Sequence, residues 1–169
     1  MEKIQLILRA VQLLFLIILT GLIGNIIASN QHAAASATAA INFSMFVVVL
    51  SWLATLLGGA AGLAGRVALP PIIHLAADAA ATLFTFIGAV VLAAKLRVVN
   101  CADTRGQPGD WIAYGSADDH KRCREVQAGT AFMWFLFASF AAALVLGFLA
   151  FRRGGGSVRS GPTMSQVRV

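Results

Sequence analysis

Acidic side chains are scarce in this chain. Seven Asp and Glu stand against thirteen Lys and Arg in 169 residues, and charged residues of both signs make up only 12%. An ordinary soluble domain carries about 25%, so too little charge is present to clothe a surface of this size in water. Cysteine is limited to Cys101 and Cys123, and the histidines, His32, His74 and His120, are scattered along the chain. That spacing excludes a metal cluster. There is no HExxH, no G-x-S-x-G and no phosphate-cradling glycine loop after a strand, so the sequence points away from catalysis and implies no cofactor. No basic run is interleaved with aromatics, which excludes a nucleic-acid stripe. The formal charge of +6 is instead read as Lys and Arg at loop ends, near anionic lipid head groups.

What the chain has in quantity is apolar sequence: 59% hydrophobic residues and a mean hydropathy of +0.81. It falls into runs at Val11–Ala28, Ile41–Gly65, Leu69–Ala94 and Ala128–Phe151. A bilayer core about 30 Å thick is crossed by about 20 helical residues. The sequence therefore predicts an all-α, four-transmembrane-helix bundle over residues 1–151, with helices near 6–28, 41–65, 70–94 and 128–151. A polar loop spans 95–127 and a flexible tail spans 152–169. Lys3 and Arg9 ahead of an apolar run, with Ala35-Ser36-Ala37 beyond it, imitate a secretory signal. That run is too long for a signal core of about 7–15 residues, and it reads as a retained helix.

Four crossings put both termini on one side. Seven basic residues fall on that side and six on the other, which decides nothing. The cysteines break the tie. Cys101 and Cys123 stand at the two ends of the polar loop, and a bridge between them would belong to an oxidising compartment. That places the loop outside and both termini in the cytoplasm. Two unrelated free thiols are the alternative.

Within the crossings, Gly58 with Gly62 and Ala61 with Gly65 form small-xxx-small pairs that favour close helix packing, inside one bundle or between copies. The fourth helix carries Phe132, Trp134, Phe135, Phe137 and Phe140, candidates for contact with acyl chains or sterol. Asp78 is the acidic residue inside a crossing, with His74 one turn before it. An intramembrane carboxylate is a functional hypothesis by default, and the pair is the basis of an alternative reading, a small transporter or channel. Against it, the sequence offers no evident Lys, Arg or Glu partner in another crossing, so Asp78 is expected to bond Ser, Thr or backbone groups, or to stay protonated. Arg9 and Gln12 are expected to snorkel or to sit at the inner interface. Arg152 and Arg153 are expected to hold the inner leaflet, with Ser157, Ser160, Thr163 and Ser165 as phosphorylation sites that would loosen it.

The pattern of four crossings, two short loops, a longer loop with two cysteines and cytoplasmic ends resembles a MARVEL-domain protein. More narrowly, Asp78 with Leu83-Phe84-Thr85-Phe86 and Gly88, Cys123-Arg124 before Gln127-Ala128, and Pro162-Thr163-Met164-Ser165-Gln166-Val167 resemble the fungal non-classical export protein 2 family. The resemblance implies a plasma-membrane organiser of furrow-like microdomains, the eisosome compartment, with links to sphingolipid-responsive signalling and unconventional secretion. It also implies sterol- and sphingolipid-rich surroundings. The expected partners are membrane lipids, further copies of the chain, and cytoplasmic scaffold proteins held through the tail.

Overall fold

Inside lipid, a segment must satisfy every backbone N–H and C=O by itself, and a helix does this. The computed structural model describes residues 2–64, 70–97, 100–103 and 106–153. Each apolar run folds as one helix: α1 (Glu2–Ala28), α2 (Ala35–Ala64), α3 (Pro71–Leu96) and α4 (Asp119–Arg153). All four are long and apolar enough to cross a bilayer. Gly65, Arg66 and residues 154–169 lie outside the described residues, so the tail and its phosphorylation sites receive no structural account.

Two helices start earlier than hydropathy implies. α2 begins at Ala35, because the Ala-rich stretch to Ala40 is a good helix former although it is not strongly apolar. α4 begins at Asp119, inside the polar loop. Asp118 Oδ1 accepts the Lys121 N–H at 2.9 Å, and Asp119 Oδ1 accepts the Ser116 N–H at 3.3 Å. Such side-chain caps set a helix start by hydrogen bonding, wherever the lipid boundary falls.

The helices pack in a ring, α1 against α2, α2 against α3, α3 against α4, and α4 back on α1. α1 and α3 face each other across the diagonal without backbone contact among the described residues. The buried seam of α1 runs Arg9, Gln12, Leu16, Leu19, Ile23 and Ile26, and that of α4 includes Val126, Gly129, Met133, Leu136, Phe140 and Ala143. Alternating steps of three and four residues are the spacing of knobs-into-holes packing in helical bundles. The opposite faces carry large apolar side chains outward, among them Leu14, Ile17, Phe46, Leu53, Leu83, Phe135 and Val145. Water would penalise that surface; hydrocarbon does not.

The loop end of the bundle is capped. Trp111, Ile112 and Ala113 are buried, and the Trp111 indole donates to the Leu96 carbonyl at 3.0 Å. Arg122 donates from Nε to the Ile112 carbonyl and from Nη1 to Asn30 Oδ1, both at 3.2 Å, joining the two loops. Gly115 sits at φ +102°, and any Cβ there would overlap the Ala33 backbone, so only glycine lets its carbonyl receive the Gln31 N–H at 2.8 Å. Cys101 and Cys123 are bridged, with Cα atoms 5.6 Å apart, fastening the end of α3 to the start of α4. With 22 residues of separation, replacing both cysteines with serine is expected to cost about 3 kcal/mol by chain entropy. Equilibrium unfolding in bicelles under oxidising conditions would measure that loss.

Candidate functional site

Two buried ionisable side chains of the crossings, Arg9 and Asp78, meet at the tail end. Arg9 lies seven residues into α1 and Asp78 seven residues into α3, and both helices run in the same direction. At about 1.5 Å per residue, both are about 10 Å from their helix starts and therefore level. They meet as a two-pronged ion pair: Arg9 Nη1 donates to Asp78 Oδ1 at 2.8 Å, and Nη2 to Oδ2 at 2.6 Å. The Arg9 residue is 8% exposed and Asp78 5%. The planar guanidinium matches both carboxylate oxygens at once, a geometry that an ammonium cannot reproduce. The pair thus bridges the two helices whose backbones do not touch.

The surrounding residues make room for it and hold it. Arg9 Nη1 also donates to Gln12 Oε1 at 3.0 Å, one turn up the same seam. From α2, Gly58 lies against the guanidinium, and a Cβ built there would overlap Arg9 Nη2, Cζ and Nε. Thr55, one turn earlier on α2, is buried nearby in sequence and face. Gln12 Nε2, Thr55 Oγ1 and His74 Nδ1 are buried without a hydrogen-bond partner among the described residues. Thr82 hydroxyl donates to the Asp78 backbone carbonyl at 2.6 Å, which leaves the carboxylate itself to Arg9.

This arrangement corrects several expectations. Asp78 does have a cationic partner in another crossing: Arg9 turns inward along the seam, where snorkelling or a place at the inner interface was expected. The sequence signal was present, since the three-and-four spacing of Leu16, Leu19, Ile23 and Ile26 extends back to Gln12 and Arg9. His74 is only half-buried and makes no hydrogen bond to Asp78 among the described residues, so the pair invoked for transport is not joined. Gly58, half-buried, directs its Cα hydrogen at Arg9 of the same chain, so it packs within the bundle. Gly65 and the side-chain surroundings of Ala61 and Gly62 lie outside what is described.

The aromatic residues of α4 divide by face. Phe140 is fully buried on the α4 seam and cannot touch lipid, which corrects its assignment as a contact residue. Phe132 and Phe135 stack near Phe15 of α1, each at 5.9 Å between ring centroids. Trp134 and Phe137 gather around Phe86 of α3 at 5.9 and 5.4 Å, with Trp134 37% and Phe135 55% exposed. Offset and edge-on rings of this kind form firm apolar surfaces. At the tail end, Arg152 lies over the Phe148 ring at 5.9 Å.

Comparison with known proteins places these features in context. The model of the MARVEL family, the membrane-associating domain, matches residues 2–146. Non-classical export protein 102 of Candida albicans is 32% identical over 171 residues, covering 95% of this chain and 96% of that protein. Non-classical export protein 2 of Saccharomyces cerevisiae is 30% identical over 174 residues, covering 95% and 96%. Non-classical export protein 2 homolog 1 of the same yeast is 28% identical over 148 residues, covering 88% and 81%. No solved structure matches significantly.

Proposed function

Because the chain belongs to the membrane-associating MARVEL family and is similar over nearly its whole length to fungal non-classical export proteins, we propose that it is a non-enzymatic membrane scaffold. It works at the plasma membrane with both termini in the cytoplasm, self-associates, and organises eisosome-type microdomains by contact with sterol and sphingolipid. A part in lipid-responsive signalling or export follows from that placement, and the tail would recruit cytoplasmic partners.

The observation that carries this reading is how the intramembrane charges are used. Asp78 and Arg9 are joined through both carboxylate oxygens, which supports a structural use of these charges over the carrying of a proton or ion. Toward the loop end the seam turns to Leu16, Leu19, Ile23, Met133 and Leu136, and the cap of Trp111 and Ile112 lies beyond it. Ion pathways are marked by ionisable groups facing a water-filled cavity, and an apolar seam beneath a buried cap favours a structural role. The outward rings of Trp134 and Phe135 offer a surface for sterol or acyl chains, while Arg152 and Arg153 suit an anionic leaflet.

The test uses the fluorescently tagged full chain in Saccharomyces cerevisiae lacking its own relatives. The wild type is expected to collect in discrete plasma-membrane patches. Trp134→Ala with Phe135→Ala is expected to spread it evenly at unchanged abundance. Patches that survive this change would remove the lipid-contact step. Proton or cation flux in proteoliposomes, abolished by Asp78→Asn, would replace the scaffold with a transporter.

A further inference from the structure

A second polar feature lies at the loop end, between α1 and α4, well away from the Arg9–Asp78 pair. A groove of about 340 Å³ is floored by Leu22 of α1 and Ala128 of α4 and rimmed by charged side chains from the first turns of α4. Lys121, Arg124, Glu125 and Ala128 follow the spacing of one helix face, so the first three stand above the apolar floor as a single stripe. Its height in the membrane is set by the neighbouring contacts. Ile23 reaches Gly129 just beside the floor, while Asn25 meets Glu125 at the rim. The groove therefore stands where the apolar belt gives way to polar side chains, the level of lipid head groups.

The charges of the rim are unequally committed. Asp118 Oδ1 already accepts the Lys121 backbone N–H, and Glu125 Oε1 accepts the Asn25 amide at 2.7 Å. Glu125 approaches the Lys121 ammonium only at 3.8 Å, and the lysine side chain is 64% exposed. Arg124 is exposed and makes no hydrogen bond or ion pair among the described residues. His120 lines the same rim, its ring held by Nδ1 at 2.8 Å from the Cys101 carbonyl. The carboxylates accept mainly from neutral donors, Lys121 is held only by the long 3.8 Å pair with Glu125, and Arg124 is left uncommitted among the described residues.

We propose that this groove binds the phosphodiester of a membrane phospholipid. Arg124 and Lys121 hold the phosphate oxygens, and an acyl chain descends along Leu22 and Ala128. Guanidinium and ammonium groups favour phosphate oxygens, and an apolar floor directly beneath them suits a molecule that carries both an anion and a chain. A sterol hydroxyl would leave both cations unmatched. The site is separate from the aromatic surface of α3 and α4, so it stands or falls independently of the sterol contact.

The test is native mass spectrometry of the full chain in a non-ionic detergent. Dioleoylphosphatidylglycerol and dioleoylphosphatidylcholine are expected to be retained, and dioleoylglycerol, with the same chains and no phosphate, to bind at least about tenfold more weakly. Lys121→Gln with Arg124→Gln is expected to lower phospholipid affinity by about tenfold or more, whereas Lys95→Gln, a cation in the last turn of α3 outside the groove, leaves it unchanged. Leu22→Trp keeps every charge but fills the floor, and it too is expected to lose the lipid. Soluble glycerophosphocholine binding as tightly as the lipids would mean a free phosphodiester is the ligand. Equal retention of dioleoylglycerol, or full affinity in the Lys121/Arg124 variant, overturns the proposal. Lipid loss with patches intact in cells would leave the scaffold reading standing, and dispersed patches with lipid retained would spare the groove.

Discussion

Asp78→Asn is expected to be among the most damaging conservative changes in this chain, costing about 3–5 kcal/mol of bundle stability. The substitution preserves shape but removes the charge that compensates Arg9, and it leaves a guanidinium that is 8% exposed with only neutral acceptors. Breaking a buried ion pair from one side has this magnitude, because the surviving charge bears its desolvation without return. Arg9→Met is expected to cost a similar amount by stranding the carboxylate. Replacing both, Arg9→Met with Asp78→Leu, is expected to recover most of the loss, since apolar side chains of similar volume often replace a buried pair at little cost. The measurement is steric-trap unfolding in bicelles, with helix content checked in each variant.

Gly58→Leu is the second large effect, and its cause lies inside one copy of the chain. A lone arginine is flexible and would swing away from an added Cβ, but the Arg9 guanidinium is pinned by two bonds to Asp78 and one to Gln12. Even Gly58→Ala places a carbon where the guanidinium stands, at an expected cost of about 1–3 kcal/mol, and Gly58→Leu is expected to exceed it. Gly59 has nothing within 4 Å of an added Cβ, so Gly59→Ala is expected to be near neutral. The Gly58→Ala penalty should largely vanish in an Arg9→Ala background. Should Gly58→Leu instead leave monomer stability intact and reduce only association between copies, the glycine would belong to an oligomer face after all.

The crossings were legible because lipid imposes one rule on all four: a long apolar run must be a helix. The cysteine pair was legible in the same way, through its position at the ends of one loop. Helix starts were harder to read. Ala35 and Asp119 begin helices in sequence that hydropathy assigns to loops, and only the caps offered by Asp118 and Asp119 mark the second. The ion pair was missed for a different reason. Arg9 stands near the start of α1, where basic residues usually face head groups, and hydropathy sums carry no information about direction. Direction is written in the seam, whose steps of three and four lead from Ile26 down to Arg9. Partner identity across the ring was not readable, because nothing local to α1 or α3 says which helices share a diagonal. Phe140 shows the same limit: composition marked it as one aromatic among many, and only its place on the α4 seam turns it inward.

Arg9 and Asp78 act as one buried unit joining α1 to α3, and the decisive measurement is a double-mutant cycle between them in a bilayer-like environment. A coupling of about 2 kcal/mol or more is expected between Arg9→Met and Asp78→Leu, with the double variant far more stable than the sum of the singles. Additivity within about 0.5 kcal/mol would contradict it, because side chains that do not touch behave that way.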